Sequence, residues 1–184
     1  MDALIVVDAQ NEFTDGGHRP VPGHLSAFAA IRARVTEARA AGWPIAWIRH
    51  HNPPQDGPAF QPGTWGAEFG PGLAREEERD EAVFEKQVFG AFTGTGLDQW
   101  LGDRGIRRVT LVGFYVHMCL STTAREALVR GLDVTIDPDA TGGCDLADTR
   151  LGSLTAEEVR RSALLQLIHM GVRLTPAART AAAA

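Results

Sequence analysis

The chain has few cysteines, almost no lysine and no long apolar run. Two cysteines among 184 residues, Cys119 and Cys144, are too few for a disulfide framework. No apolar stretch approaches the length of a membrane span, and the first residues lack the basic region of a signal peptide. The net charge of -5 argues against nucleic acid or an anionic membrane as a partner. We therefore expect a cytoplasmic protein that acts on a small molecule.

Lysine is the scarcest cation in the chain. Lys86 is the only lysine, against 17 arginines. A position that needs a compact ammonium rather than a planar guanidinium would explain this exception, although one lysine could also survive by chance.

Short apolar strands alternate with helical segments along the chain. We predict strands at residues 4–7, 44–50, 82–86, 108–113, 133–137 and 171–174, and helices at 25–41, from 97 to near 105, from 119 to 131 and from 155 onward. This alternation predicts an α/β fold, a single-domain three-layer αβα arrangement with a six-stranded, mainly parallel, doubly wound sheet. The domain is expected to span residues 1–176, followed by a frayed tail at 177–184.

Three chemically complementary residues fall at the carboxyl ends of separate predicted strands. Asp8 ends the first strand, Lys86 ends the third, and Cys119 follows the fourth at a strand-to-helix junction. Ligands of such sheets bind outside the carboxyl ends of the strands, near the point where the strand order reverses. We therefore expect these side chains to share one site.

A thiol, a carboxylate and an ammonium together could hydrolyse an amide through a thioester. Helix N–H groups would lower the pKa of Cys119. Asp8 would take the thiol proton and later give it to the leaving nitrogen, while Lys86 would hold Asp8 charged. The alternatives are a buried Asp–Lys ion pair and an inert, buried cysteine.

Four stretches carry a family resemblance: VDAQNEF at 7–13, GTWGAE at 63–68, KQVFGAF at 86–92 and the segment 113–127. Together and in this order they resemble the isochorismatase-like cysteine hydrolase superfamily, which includes nicotinamidases and N-carbamoylsarcosine, maleamate and ureidoacrylate amidohydrolases. The resemblance implies a catalytic triad of Asp8, Lys86 and Cys119, no cofactor, and a homodimer or larger assembly. It also implies a cis peptide before Val116, with the N–H groups of Val116 and Cys119 forming an oxyanion hole.

Two positions depart from the family pattern. Val116 stands where the family commonly has Thr. Nicotinamidases carry an Asp-x-His metal motif after the second strand, whereas this chain has Arg49, His50 and His51 there, without a carboxylate. Adjacent residues of an extended chain point to opposite faces, so we expect no metal site, with a histidine-only site as the alternative.

Aromatic residues in the loops at this edge are the expected pocket walls. They are Phe13, Trp65, Phe89, Phe92 and Tyr115, of which Phe89 and Phe92 are equally compatible with the core. Arg49, His50 and His117 could recognise a substrate carboxylate or carbonyl, although solvated roles fit His51 and His117 as well.

Three functions are compatible with the sequence. The first is a cofactor-free hydrolase of a small amide, carbamoyl or lactam compound. The second is a vinyl-ether hydrolase that uses Asp8 as an acid and does not need Cys119. The third is a binding or scaffold domain without turnover. The presence of all three residues favours the first.

Overall fold

A computed structural model describes residues 1–176, so the tail expected at 177–184 lies outside the described residues. The strands are β1 (Asp2–Val7), β2 (Ile45–His50), β3 (Glu81–Lys86), β4 (Arg108–Gly113), β5 (Asp133–Thr141), β6 (Leu146–Asp148), β7 (Gly152–Leu154) and β8 (Arg173–Leu174). The α-helices are α1 (His24–Ala40), α2 (Leu97–Asp103), α3 (Ser121–Val129) and α4 (Ala156–His169).

Six strands form one parallel sheet in the order β3-β2-β1-β4-β5-β8. The chain moves outward from β1 to β2 and β3, then returns to the centre with β4 and moves outward in the other direction. The switch point therefore lies between β1 and β4, as in doubly wound α/β proteins. The predicted α/β fold with a six-stranded doubly wound sheet is confirmed.

Both faces of the sheet are buried, which gives the molecule three layers. Residues Leu4 and Val6 of β1 pack with α1, while Ile5 and Val7 pack with α2, α3 and α4 on the opposite face. Alternate side chains of a strand point to opposite faces, so a continuous apolar run is what a central strand needs. No helix within residues 1–176 is long and apolar enough to cross a membrane.

Two features at the carboxyl-terminal third test the sequence predictions further. Helix α4 begins near residue 155 as predicted, with a capping box in which Thr155 and Glu158 exchange hydrogen bonds. The antiparallel pair β6–β7 was not predicted, because each strand has only three residues and all of them are exposed. Such short strands show no alternation of buried and exposed residues.

A test of the central sheet is available at Gly113, whose φ is 120° and where a Cβ would lie 1.9 Å from the Val7 carbonyl oxygen. We expect Gly113→Ala to lower the free energy of unfolding by about 2–4 kcal/mol, because the β1–β4 contact must open. Urea unfolding followed by fluorescence measures this change. Gly102→Ala, where a Cβ meets nothing within 4 Å, is the matched control and should not destabilise the protein. Equal stabilities of the two variants would contradict the argument.

Candidate active site

The carboxyl edge of the sheet brings Asp8, Lys86 and Cys119 together. Asp8 directly follows β1, Lys86 ends β3, and Cys119 lies in a π-helical turn (Val116–Leu120) that leads from β4 into α3. The Lys86 Nζ lies 2.7 Å from the Asp8 Oδ2, and the Cys119 Sγ lies within 4.8 Å of an Asp8 carboxylate oxygen. The three residues are 1%, 3% and 9% exposed, respectively.

Asp8 has one carboxylate oxygen bound and one free. Its Oδ2 accepts from Lys86, whereas its Oδ1 is buried without a hydrogen-bond partner among the described residues. A buried carboxylate oxygen normally has a hydrogen-bond donor, so the lack of one at Oδ1 calls for a functional explanation. Asp8 also has a positive φ of 50°, a conformation that few residues other than Gly adopt. Asp8 Oδ1 is thus available to accept a proton from a neighbouring group.

The Cys119 thiol is held in its protonated form. Burial raises the pKa of this thiol above its ordinary value, the Asp8 carboxylate raises it further, and Lys86 opposes them only in part. The expectation of a lowered pKa, based on the helix N–H groups, is therefore wrong. The reason is that the sulfur lies beside an anion and away from water.

The Lys86 ammonium stays charged although it is buried. Burial is the largest single effect and disfavours the charge, but Asp8 and Cys119 together outweigh it, and the pKa of Lys86 lies above its ordinary value. The ammonium also lies 3.1 Å from the Nδ1 of His50. Because an ammonium only donates hydrogen bonds, Nδ1 must be the acceptor and the imidazole proton must be on Nε2. That nitrogen lies 2.8 Å from the Oδ1 of Asn52.

Two polar residues of the first motif hold the loops around the site. The side-chain amide of Gln10 donates to the carbonyls of His50 and Ala67, and its oxygen accepts from the N–H of His50. The buried carboxylate of Glu12 accepts from the backbone N–H groups of His18 and Phe60. Burial opposes the charge of Glu12, but these hydrogen bonds hold its pKa below the ordinary value. The motif therefore orders two loops in addition to supplying Asp8.

A cavity of about 420 Å³ lies over Asp8 and Cys119. The lining includes Phe13, Phe89 and Tyr115, as predicted, and His50 and His117, which the sequence named as possible recognition residues. Sequence analysis missed the lining residues Arg19, Asn52, Phe60, Met118, Cys144, Asp145 and Leu146. Phe60 is an aromatic residue in the long loop 51–75, so its loop position was a usable signal. The others carry no such signal.

Three residues named in the sequence analysis lie elsewhere. Trp65 is 56% exposed, is not part of the cavity lining, and covers Gly16 with its ring. Arg49 points away from the cavity, where it pairs with Glu68 and Glu85. Phe92 is buried in the core beside α2 and α3, in agreement with the core alternative.

The backbone before the π-helical turn differs from the expectation. No peptide bond within residues 1–176 is cis, so the expectation of a cis bond before Val116 is wrong. Trans is the lower-energy form of a bond that does not precede proline. The N–H of Val116 donates to the carbonyl of Gly142 at 2.9 Å. That N–H is therefore engaged, and it does not point at an oxyanion in this conformation.

The residues present do not fit a metal site. Among the described residues, Asp8, His50 and Cys119 are the one group of three potential ligands close enough to share an ion. The Lys86 ammonium already binds two of them, and a divalent cation in that place would meet this positive charge. His51 lies beside Glu85, away from the group. We therefore derive no step through a metal ion.

A second groove, of about 510 Å³, lies at the amino end of the sheet. Asp2, Arg34 and Arg108 line it, and no described cysteine, histidine or lysine does. Although this groove is larger, it lacks a nucleophile or a base with an activating partner.

Comparisons with known proteins give matches to one family. A family model for the isochorismatase domain matches residues 2–178. The secreted isochorismatase effector Isc1 of Verticillium dahliae is 35% identical over 147 residues, which cover 78% of this chain and 73% of that protein. The nicotinamidase/pyrazinamidase of Mycobacterium tuberculosis is 33% identical over 189 residues, which cover 91% of this chain and 98% of that protein.

The fold is also similar to that of solved structures. An isochorismatase from Pseudomonas putida superposes with a TM-score of 0.88 at 30% identity, covering 95% of this chain and 87% of that structure.

The buried ion pair predicts an asymmetric response to mutation. Lys86→Met leaves the Asp8 carboxylate buried without its cation, and we expect the free energy of unfolding to fall by about 3–5 kcal/mol. Arg108→Met is the matched control, because it breaks only the exposed pair with Asp2 and should leave the free energy of unfolding nearly unchanged. Urea unfolding at neutral pH measures both. A cost for Lys86→Met no larger than that of the control would contradict the buried pair.

Proposed function

This chain belongs to the isochorismatase family, and on that premise we propose that it is a cysteine-dependent hydrolase of a C–N bond in a small amide, carbamoyl or lactam substrate. The observation that carries the proposal is the position of the Cys119 sulfur within 4.8 Å of an Asp8 carboxylate oxygen. The sulfur lies beside a carboxylate whose second oxygen is bound by Lys86 and whose first oxygen has no described partner. This is the arrangement that a base needs to activate a nucleophile.

The first half of the proposed reaction forms a thioester. Asp8 Oδ1 takes the proton of the Cys119 thiol as the sulfur attacks the substrate carbonyl carbon. The S–C bond forms, and the carbonyl electron pair moves to the oxygen. When the tetrahedral intermediate collapses, the C–N bond breaks and Asp8 gives its proton to the leaving nitrogen, which departs as ammonia or an amine.

The second half of the reaction regenerates the thiol. Water attacks the thioester carbon and gives a proton to Asp8. The C–S bond then breaks, the acid product leaves, and the sulfur recovers the proton. Lys86 remains an ammonium throughout and keeps the Asp8 carboxylate oriented through its 2.7 Å hydrogen bond.

The raised pKa of the thiol gives Asp8 a role in every turnover. A cysteine that is mostly protonated needs a base at the moment of attack, and Asp8, whose Oδ1 has no partner among the described residues, has a carboxylate oxygen within 4.8 Å of the sulfur. The backbone N–H of Cys119 remains the proposed oxyanion donor. Val116 could contribute its N–H only after losing the bond to Gly142.

The cavity favours a small substrate with a flat or apolar body. Its volume of about 420 Å³ suits a small molecule, and the rings of Phe13, Phe60, Phe89 and Tyr115 line it. The relative from Mycobacterium tuberculosis, whose name is nicotinamidase/pyrazinamidase, supports an amide as the reacting group. A cytoplasmic location and a homodimer or larger assembly stay predictions from the sequence.

The proposal is tested by ammonia release from a panel of small amides, together with mass spectrometry of the protein quenched in acid during turnover. We expect an acyl adduct on Cys119, and we expect Cys119→Ala and Asp8→Asn to reduce ammonia release roughly a thousandfold or more. Cys144→Ala, which removes the other thiol of the cavity, should still form the adduct. Thermal melting of each variant shows that the fold is retained.

Full turnover by Cys119→Ala would refute the covalent mechanism. Vinyl-ether hydrolysis with Asp8 as the acid would then be the better explanation, because that chemistry does not need the thiol.

A further inference from the structure

Lys86 must reach across a whole strand to meet Asp8. β2 lies between β3, which carries Lys86, and β1, which precedes Asp8. The ends of these outer strands are therefore two strand spacings, roughly 10 Å, apart. His50 is the register partner of Lys86 at the end of β2. The side chain of Lys86 thus crosses the edge of the sheet directly beside the His50 ring. The ring therefore helps to position the ammonium.

The His50 ring is held in one orientation from three sides. Gln10 binds both the N–H and the carbonyl of the His50 backbone. The ring meets Phe60 edge-on, with 5.3 Å between the ring centroids. Its Nε2 lies against Asn52, so the lone pair of Nδ1 faces the Lys86 ammonium at 3.1 Å. The ring is therefore prepared as a hydrogen-bond acceptor for one ammonium proton.

We propose that His50 is a positioning residue that, in its neutral form, directs the Lys86 ammonium toward Asp8 and Cys119, and that protonation of Nδ1 releases the ammonium and switches the site off. This inference rests on the proposed function. A protonated imidazole cannot accept the hydrogen bond, and it places a second positive charge in contact with Lys86. The ammonium then loses one of the contacts that fix its place beside Asp8.

The charged groups around His50 set the pH range in which its ring is protonated. Lys86 faces it from β3, Asp8 from the end of β1, Cys119 from the π-helical turn, and His51 follows it in the chain. Burial and Lys86 lower the pKa of His50, and Asp8 and Asn52 oppose them only in part. His50 is therefore neutral at pH 7, and activity should fall on the acid side, below the ordinary imidazole range.

Asn52 offers a way to move this titration without touching the triad. The carboxylate introduced by Asn52→Asp would stabilise the protonated ring, so the acid limb of kcat/KM should move up by about one pH unit. Asn52→Ala removes an acceptor that favours the charged ring, so the limb should move down. The two opposite shifts separate a titration effect from general damage to the site, and either variant alone suffices if the other does not fold.

Two further variants assign the shift to His50. His51→Gln is the matched control, because this neighbouring imidazole lies beside Glu85 and has the weakest effect on the pKa of His50, so it should move the acid limb much less than either Asn52 variant. In the double variant His50→Gln/Asn52→Asp, the upward shift should disappear. A shift that persists in the double variant would assign the acid limb to a group other than His50 and would overturn the inference, as would an acid limb that neither Asn52 variant moves.

A measurement without substrate separates this inference from the proposed function. The rate of Cys119 alkylation by iodoacetamide, followed by mass spectrometry across pH, should show the same displacements in the two Asn52 variants. An undisplaced alkylation profile overturns the role of His50 but leaves the cysteine mechanism intact. Turnover that survives Cys119→Ala refutes the mechanism, while the alkylation profile still decides the role of His50.

Discussion

The interaction on which the site depends is the buried ion pair between Lys86 and Asp8. Taking both charges out of water is costly, so the pair persists only where the surrounding structure supplies close contact. This contact arises because β1, β2 and β3 are parallel and therefore end at the same edge of the sheet. Because Lys86 binds Oδ2, it is Oδ1 of Asp8 that has no partner among the described residues.

Adjacent residues of β2 point in opposite directions, one toward the candidate site and one toward the outside of the protein. His50 turns inward to Lys86, and its neighbour Arg49 turns outward, where it stacks on Phe69 and pairs with two glutamates. This alternation follows from the extended backbone alone. It explains why only one of three consecutive candidates on this segment, Arg49, His50 and His51, contacts the ion pair.

Much of this arrangement could be predicted from the sequence, because strand ends are local features. An apolar run that stops at Asp8, and another that stops at Gly113, place their following residues at the same sheet edge whatever the loops do. The pKa of Cys119 could not be predicted, since it depends on the burial and the anion that the fold places around the sulfur. The hydrogen bond of the Val116 N–H could not be predicted either, because its acceptor, the carbonyl of Gly142, belongs to the segment that follows β5. Pocket residues such as Arg19 and Asn52 depend on loop conformation, for which a single sequence carries little signal.

Glu12 links the wall of the cavity to Asp8, the proposed base. Its carboxylate binds the backbone N–H groups of His18 and Phe60, which lie in two loops and are 42 positions apart. Glu12 itself lies four residues after Asp8 on the same short segment. Because the bonds are made to main-chain atoms, the side chains displayed by those loops can vary while the loops keep their place. Substitutions at positions such as Phe60 would therefore change the shape of the cavity without moving Asp8, the proposed proton-transfer residue.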